Sequence, residues 1–185
     1  MSPRGKTAIW VAGKRPARPA CDNGKEPMGE AYFYHLTRAP LEVTLPMLLD
    51  KARGAGWRVL VRGSDPARIA WLDERLWLAG DADFLPHGVA GGAHDADQPV
   101  LLATDAPGTA PANGAACLMA VDGAPVSAAE VAQMARVCVL FDGNDTAAVE
   151  RARAQWKELT GAGCAAQYWS EESGKWEKKA ARQAT

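Results

Sequence analysis

The sequence predicts an α/β domain with a mostly parallel sheet and helices on both faces, on three observations. Apolar runs of strand length alternate with stretches of helical periodicity. The run Val137-Cys138-Val139-Leu140-Phe141 is continuously apolar, as in strands covered on both faces. The 185 residues, 48% hydrophobic and 23% charged, are also enough to bury a core without disulfide or metal.

Residues 1–27 read as a flexible basic tail, because Pro3, Gly5, Gly13, Pro16, Pro19 and Gly24 interrupt any periodic pattern. Met28 is an alternative start, since the strand-like run Ala31 to Leu36 follows almost at once. Leu41, Leu45, Leu48, Leu49 and Ala52 then recur at helical spacing, with Pro46 expected early in the helix or at a kink, and Gly54-Ala55-Gly56 closes the segment. Trp57 to Val61 reads as a strand. Ser64 is placed as the N-cap of a helix carrying Ile69, Leu72 and Leu76 and ending near Gly80. A glycine-rich turn at Gly88, Gly91 and Gly92 follows. Val100 to Ala103 and Cys117 to Val121 read as strands separated by a Pro/Gly/Ala-rich loop. Ser127 and Glu130 have capping-box spacing before a short helix. After the apolar run at 137–141, Asp142-Gly143-Asn144-Asp145 turns into a helix closed at Gly161, and Cys164 to Trp169 forms a last strand. The α/β domain is thus expected over 28–174, with 175–185 a polar C-terminal tail.

Charge and cysteine usage narrow the function. The net charge of -1 hides a segregation, because residues 28–174 carry eleven Lys/Arg against nineteen Asp/Glu. So acidic a body argues against a broad face for duplex DNA, which needs clustered cations. Cys21, Cys117, Cys138 and Cys164 are scattered with no Cys-x-x-Cys pair, and read as small hydrophobes in a reducing compartment. No run approaches the ~20 apolar residues of a spanning helix, and Met1 to Arg4 opens no signal peptide, so a cytoplasmic location away from membranes is expected.

Few residues point to catalysis. The first strand-to-helix connection, Thr37-Arg38-Ala39-Pro40, has no glycine to admit a pyrophosphate. No phosphate-binding loop and no Gly-x-Ser-x-Gly elbow occurs, and no cofactor is expected. His87, His94 and Asp95 leave one enzyme alternative, a small metal- or nucleotide-dependent site at a strand end, although no helix or strand spacing organises them.

Arg153, Trp156 and Lys157 are more informative. Spacings of three and four put them on one helix face, an indole flanked by two cations, which suits an acidic peptide ending in an aromatic residue. The same Trp156 also continues an inward stripe of Val149, Ala152 and Leu159, and the pattern alone favours core packing. Trp71, Trp77 and Phe84 form a second aromatic cluster, either core or an exposed partner surface.

The stretches Arg58 to Val61, Leu72-Asp73-Glu74-Arg75-Leu76-Trp77 and Phe84-Leu85-Pro86-His87-Gly88-Val89-Ala90-Gly91, with Arg153 through Trp156-Lys157 to Gly163, resemble the chi subunit of bacterial DNA polymerase III. The resemblance spans about 28–176. It implies a Rossmann-like, non-catalytic subunit of the polymerase complex in DNA replication. Such a subunit joins the clamp loader to the acidic C-terminal tail of single-stranded DNA-binding protein, and its contact with DNA is mainly indirect. The tail-binding cations would fall on Arg153 and Lys157 and the aromatic wall on Trp156, where an enterobacterial-type chi has a tyrosine. The surface for the psi subunit, or for a helicase, would fall near Trp77 and Phe84. The segment 1–27 has no counterpart in the family.

Overall fold

Eight strands join in one sheet of order β3-β4-β2-β5-β6-β1-β7-β8. They are β1 (Glu30–Leu36), β2 (Val59–Arg62), β3 (His87–Val89), β4 (Val100–Ala103), β5 (Cys117–Ala120), β6 (Arg136–Asp142), β7 (Ala165–Ser170) and β8 (Glu177–Arg182). A computed structural model describes residues 29–78 and 85–185, so the expected tail at 1–27 and the candidate Phe84 lie outside the described residues. All neighbouring strands pair in parallel except β7 with β8. The helices are α1 (Leu41–Gly54), α2 (Pro66–Leu78), α3 (Ala128–Gln133) and α4 (Thr146–Gly161).

Alternation along β1 sorts the core into two layers. Ala31 and Phe33 point to the side covered by α3 and α4, where they meet Val131, Ala152 and Leu159. Leu36, with Tyr32 and Tyr34 at the edge, points to the α1 and α2 side, among Leu45, Leu49, Ile69 and Leu72. The central strands β2, β4 and β5 are buried at every position, which accounts for their unbroken apolar runs. A parallel sheet with helices on both faces follows, as the periodicity predicts.

Four local expectations need correction. The α2 N-cap is Asp65, whose Oδ1 accepts from the Ala67 N–H at 3.0 Å, while the Ser64 hydroxyl donates to the Asp122 carbonyl. Pro66 at the first helical position fits that start, because its missing N–H would be unpaired there anyway. Helix α4 runs through Gly161, with its C-cap at Ala162 and Gly163 (φ 84°) making the left-handed exit. His87–Val89, placed in a turn, forms the edge strand β3, too short and glycine-interrupted to give a period. The segment expected as a polar tail contains β8, exposed at all six residues, which pairs with β7 through its backbone and so carries no apolar signature.

Two carboxylates fasten the loops at the strand ends. Glu130 completes the expected capping box with Ser127, and it also reaches the buried Arg62 at 2.7 Å and accepts from the Gly108 N–H at 2.9 Å. Side-chain exposure of 1% for Arg62 and 3% for Glu130 makes this a core ion pair. Glu171, at the end of β7, accepts from three consecutive amides, Thr37, Arg38 and Ala39, at 3.2, 3.0 and 2.8 Å. Those amides form the connection that leads into α1.

Burial pushes the Glu130 carboxyl up, but hydrogen bonds from Arg62, Ser127 and Gly108 with the Arg62 charge outweigh it and hold the group below its ordinary 4.5. Its contribution is therefore full above the unfolded carboxyl range and is lost as pH falls through the lowered folded value. Glu130→Gln leaves Arg62 uncompensated and should cost about 3–5 kcal/mol in urea unfolding at neutral pH. The gap between the two proteins should narrow once the pH drops below 4.5. A gap that is constant with pH would contradict this account.

Candidate functional site

Helix α4 begins cleanly because the Asp145 carboxylate accepts from the Ala147 N–H at 2.9 Å. Its buried Ala148, Ala152 and Leu159 face the sheet. The small alanines bring the backbone close, so the next large residue on that side, Trp156, lands on the sheet's aromatic side chains. Its ring meets Phe33 edge-on at 5.2 Å and Tyr168 edge-on at 6.1 Å. Trp156 is half-buried, packed against the core while part of the indole reaches the surface. Trp156 therefore packs on the core, as its inward stripe predicts, while keeping a partly exposed ring.

Arg153 and Lys157 flank that ring and are exposed. Among the described residues neither side chain forms an ion pair or hydrogen bond, although Glu150 and Glu158 lie on the same helix. Arg153 lies close enough to Tyr168 for its charge to act on the phenol. Burial pushes the Tyr168 pKa up, and the Arg153 cation partly opposes this. Tyr168 also borders His35 at 5.8 Å and Phe141 at 6.1 Å, so it links the indole to a wider aromatic floor. Sequence reasoning missed Tyr168. It comes to the site only because β7 pairs with β1 and sets Tyr168 beside Phe33, and no local spacing signals that adjacency.

A wide cleft, about 700 Å³, lies on the other flank of α4 and contains none of Arg153, Trp156 and Lys157. Asp122, Asp142, Asp145 and Glu158 line it against Arg151 alone, which is the wrong sign for an acidic ligand. The open face with two unpaired cations has the right one.

The second cluster separates into parts. Trp71 lies between the guanidinium groups of Arg68 at 4.1 Å and Arg75 at 4.9 Å. Trp77 is 55% exposed with its ring 4.9 Å from that of His87, and Leu78 is 75% exposed beside it. Val43 and Met47 of α1 are also exposed and line a groove with Arg75 and Leu78, so the apolar surface extends to residues the sequence did not single out.

The residues of the enzyme alternative are engaged elsewhere. The His87 ring nitrogens face the Leu85 carbonyl at 2.7 Å and the Asp73 carbonyl at 3.3 Å, with the Asp73 carboxylate at 3.4 Å. His94 is an exposed side chain near Asp97, and Asp95 accepts from the Gly91 and Gly92 amides. The amides after β1, where a doubly wound sheet could hold a phosphate, carry the Glu171 carboxylate instead. No group of three His, Cys, Asp or Glu that could hold a metal occurs among the described residues, and none of their helices is long and apolar enough to cross a membrane.

This geometry separates packing from charge. Trp156→Ala should cost about 2–4 kcal/mol in urea unfolding, because it empties a partly buried aromatic contact. Arg153→Gln and Lys157→Gln should stay within about 0.5 kcal/mol of the parent, as solvated side chains without partners. A large loss from either glutamine variant would mean that the cation supports the fold.

A family model described as the DNA polymerase III chi subunit, HolC, matches residues 28–167. No curated protein matches the chain closely enough to count. The match covers β1 to β6 and all four helices and ends inside β7, so Tyr168 and β8 lie beyond it. The chain belongs to the family of the chi subunit of DNA polymerase III, an accessory subunit of the replicative polymerase complex.

Proposed function

We propose that this chain is a non-catalytic adaptor in DNA replication, which links the clamp loader to single-stranded DNA-binding protein by capturing that protein's acidic C-terminal tail. The observation that carries the reading is the face of α4, with Arg153 and Lys157 unpaired on either side of the half-buried Trp156. The cations attract the carboxylates of the tail and hold them by charge-assisted hydrogen bonds. A terminal aromatic ring packs on the exposed part of the indole, with Tyr168 behind it. Because the indole already rests on Phe33 and Tyr168, little side-chain freedom is lost on binding.

The acidic body fits an indirect role at DNA, because the adaptor reaches the strand through the protein that coats it. A second partner, psi or a helicase, would dock near Trp77 and Phe84. The exposure of Trp77 and Leu78, continued by Val43 and Met47 on α1, supports that placement. An adaptor needs two separate surfaces, and α2 and α4 lie on opposite faces of the sheet. This role belongs in the cytoplasm.

A fluorescent peptide copying the acidic tail, titrated at low and high salt, tests the proposal. Binding should weaken as salt rises, and Arg153→Ala and Lys157→Ala should each cost about 1–3 kcal/mol of affinity. Trp77→Ala should leave tail affinity unchanged. Absence of binding at low salt would reject the tail-capture role, and unchanged affinity in Lys157→Ala would remove that residue from the site.

A further inference from the structure

On the side of the sheet away from α4, a cleft of about 250 Å³ opens between α1 and the first residues of β5 and β6. Its walls are apolar and aromatic: the rings of Tyr34 and Trp57 with Leu48, and a floor made by Cys117 and Cys138. Two cations, Lys51 and Arg136, complete the lining, and no carboxylate contributes to it.

The Tyr34, Lys51 and Arg136 side chains here have no hydrogen-bonding partner among the described residues. The Arg136 guanidinium lies over Tyr32 at 4.3 Å and Trp57 at 5.1 Å, and its Nε is buried without an acceptor. Among the described residues, the Arg136 and Lys51 side chains make no hydrogen bond or ion pair, and the Tyr34 hydroxyl makes no hydrogen bond. The guanidinium rests on two rings, and although Glu30 stands opposite Arg136 in the β1–β6 register, beside Tyr32, no carboxylate comes within ion-pair distance of it among the described residues. The floor adds no opposing charge. The hydrogen bond with Cys117, then burial, push the Cys138 thiol far up and keep it neutral.

We propose that this cleft binds a small aromatic carboxylate, its acid group held by Arg136 and Lys51 and its ring lying against Trp57 and Tyr34. The volume lies just below that of pockets for drug-sized ligands, so it suits one ring or two fused rings. The charge pattern selects an anion, and the walls select a flat apolar body over a bare inorganic ion. The site is independent of tail capture, since the sheet separates it from Trp156.

Calorimetric titration of the full chain with 2-naphthoate at low salt tests this, with 2-naphthamide and sulfate as controls. The expected result is one saturable site for naphthoate that outcompetes sulfate and rejects the uncharged amide. Trp fluorescence should change on binding in the parent and much less in Trp57→Phe. Arg136→Gln and Lys51→Gln should each weaken naphthoate at least about fivefold. Lys51 is exposed on α1, so its variant keeps the test decisive even if the Arg136 variant folds poorly. No binding of naphthoate, equal binding of the amide, equal affinity for sulfate, or unchanged affinity in a folded Lys51→Gln protein would each overturn the proposal.

Discussion

A single buried ion pair, Arg62 with Glu130, holds together the end of the sheet from which the helices depart. Arg62 ends β2, in the middle of the sheet, and Glu130 lies in the first turn of α3. Besides its partner, Glu130 takes the Ser127 amide and hydroxyl and the Gly108 amide, and Arg62 donates to the Pro125 carbonyl at 3.3 Å. One carboxylate thereby ties a central strand, a helix start and two loops. Two charges taken out of water are costly, and the cost is met because both carboxylate oxygens and both terminal guanidinium nitrogens find partners. The residue of that cost is visible in Arg62 Nε, buried with no acceptor. Placement of α3 matters beyond it, because α3 shares with α4 the face of the sheet that carries Phe33 and Trp156.

The same economy governs the β1–α1 connection. In a doubly wound sheet, successive amides at this position commonly receive a phosphate. Here Glu171 supplies the negative charge from within the chain, at the end of β7. The fold keeps the anion-binding geometry of its architecture and uses it to fasten β7 to the start of α1. Such a domain is freed to act through its outer surfaces, and the surfaces have distinct chemistry. The α4 face is cationic around an indole, the end of α2 is apolar, and the cleft on the other flank of α4 is acidic.

Much of the fold was legible in the order of residues. The central strands bury both faces, so their apolar runs are unbroken, and the helices bury one stripe each, so Leu45, Leu49, Ile69, Leu72 and Leu159 stand at helical spacing. What escaped reading has a common cause. β8 is held by backbone pairing alone, β3 is three residues long, and the α2 start was set by Pro66 rather than by the serine before Asp65. For the candidate site, Arg153, Trp156 and Lys157 are close in the chain and could be seen together, whereas Tyr168 and Glu171 depend on strand order and loop approach. Even the capping box at Ser127 was legible while the Arg62 pair was not, since 68 residues separate Arg62 from Glu130.

The proposed role rests on one claim, that an acidic peptide is captured at the second half of α4. The most direct measurement is amide and indole chemical-shift mapping of the isotope-labelled chain during titration with the acidic tail peptide. The account predicts that the largest changes fall on amides around 153–157 and on the Trp156 indole N–H, with Tyr168 following. Changes centred on Trp77 and the end of α2, with α4 silent, would contradict it.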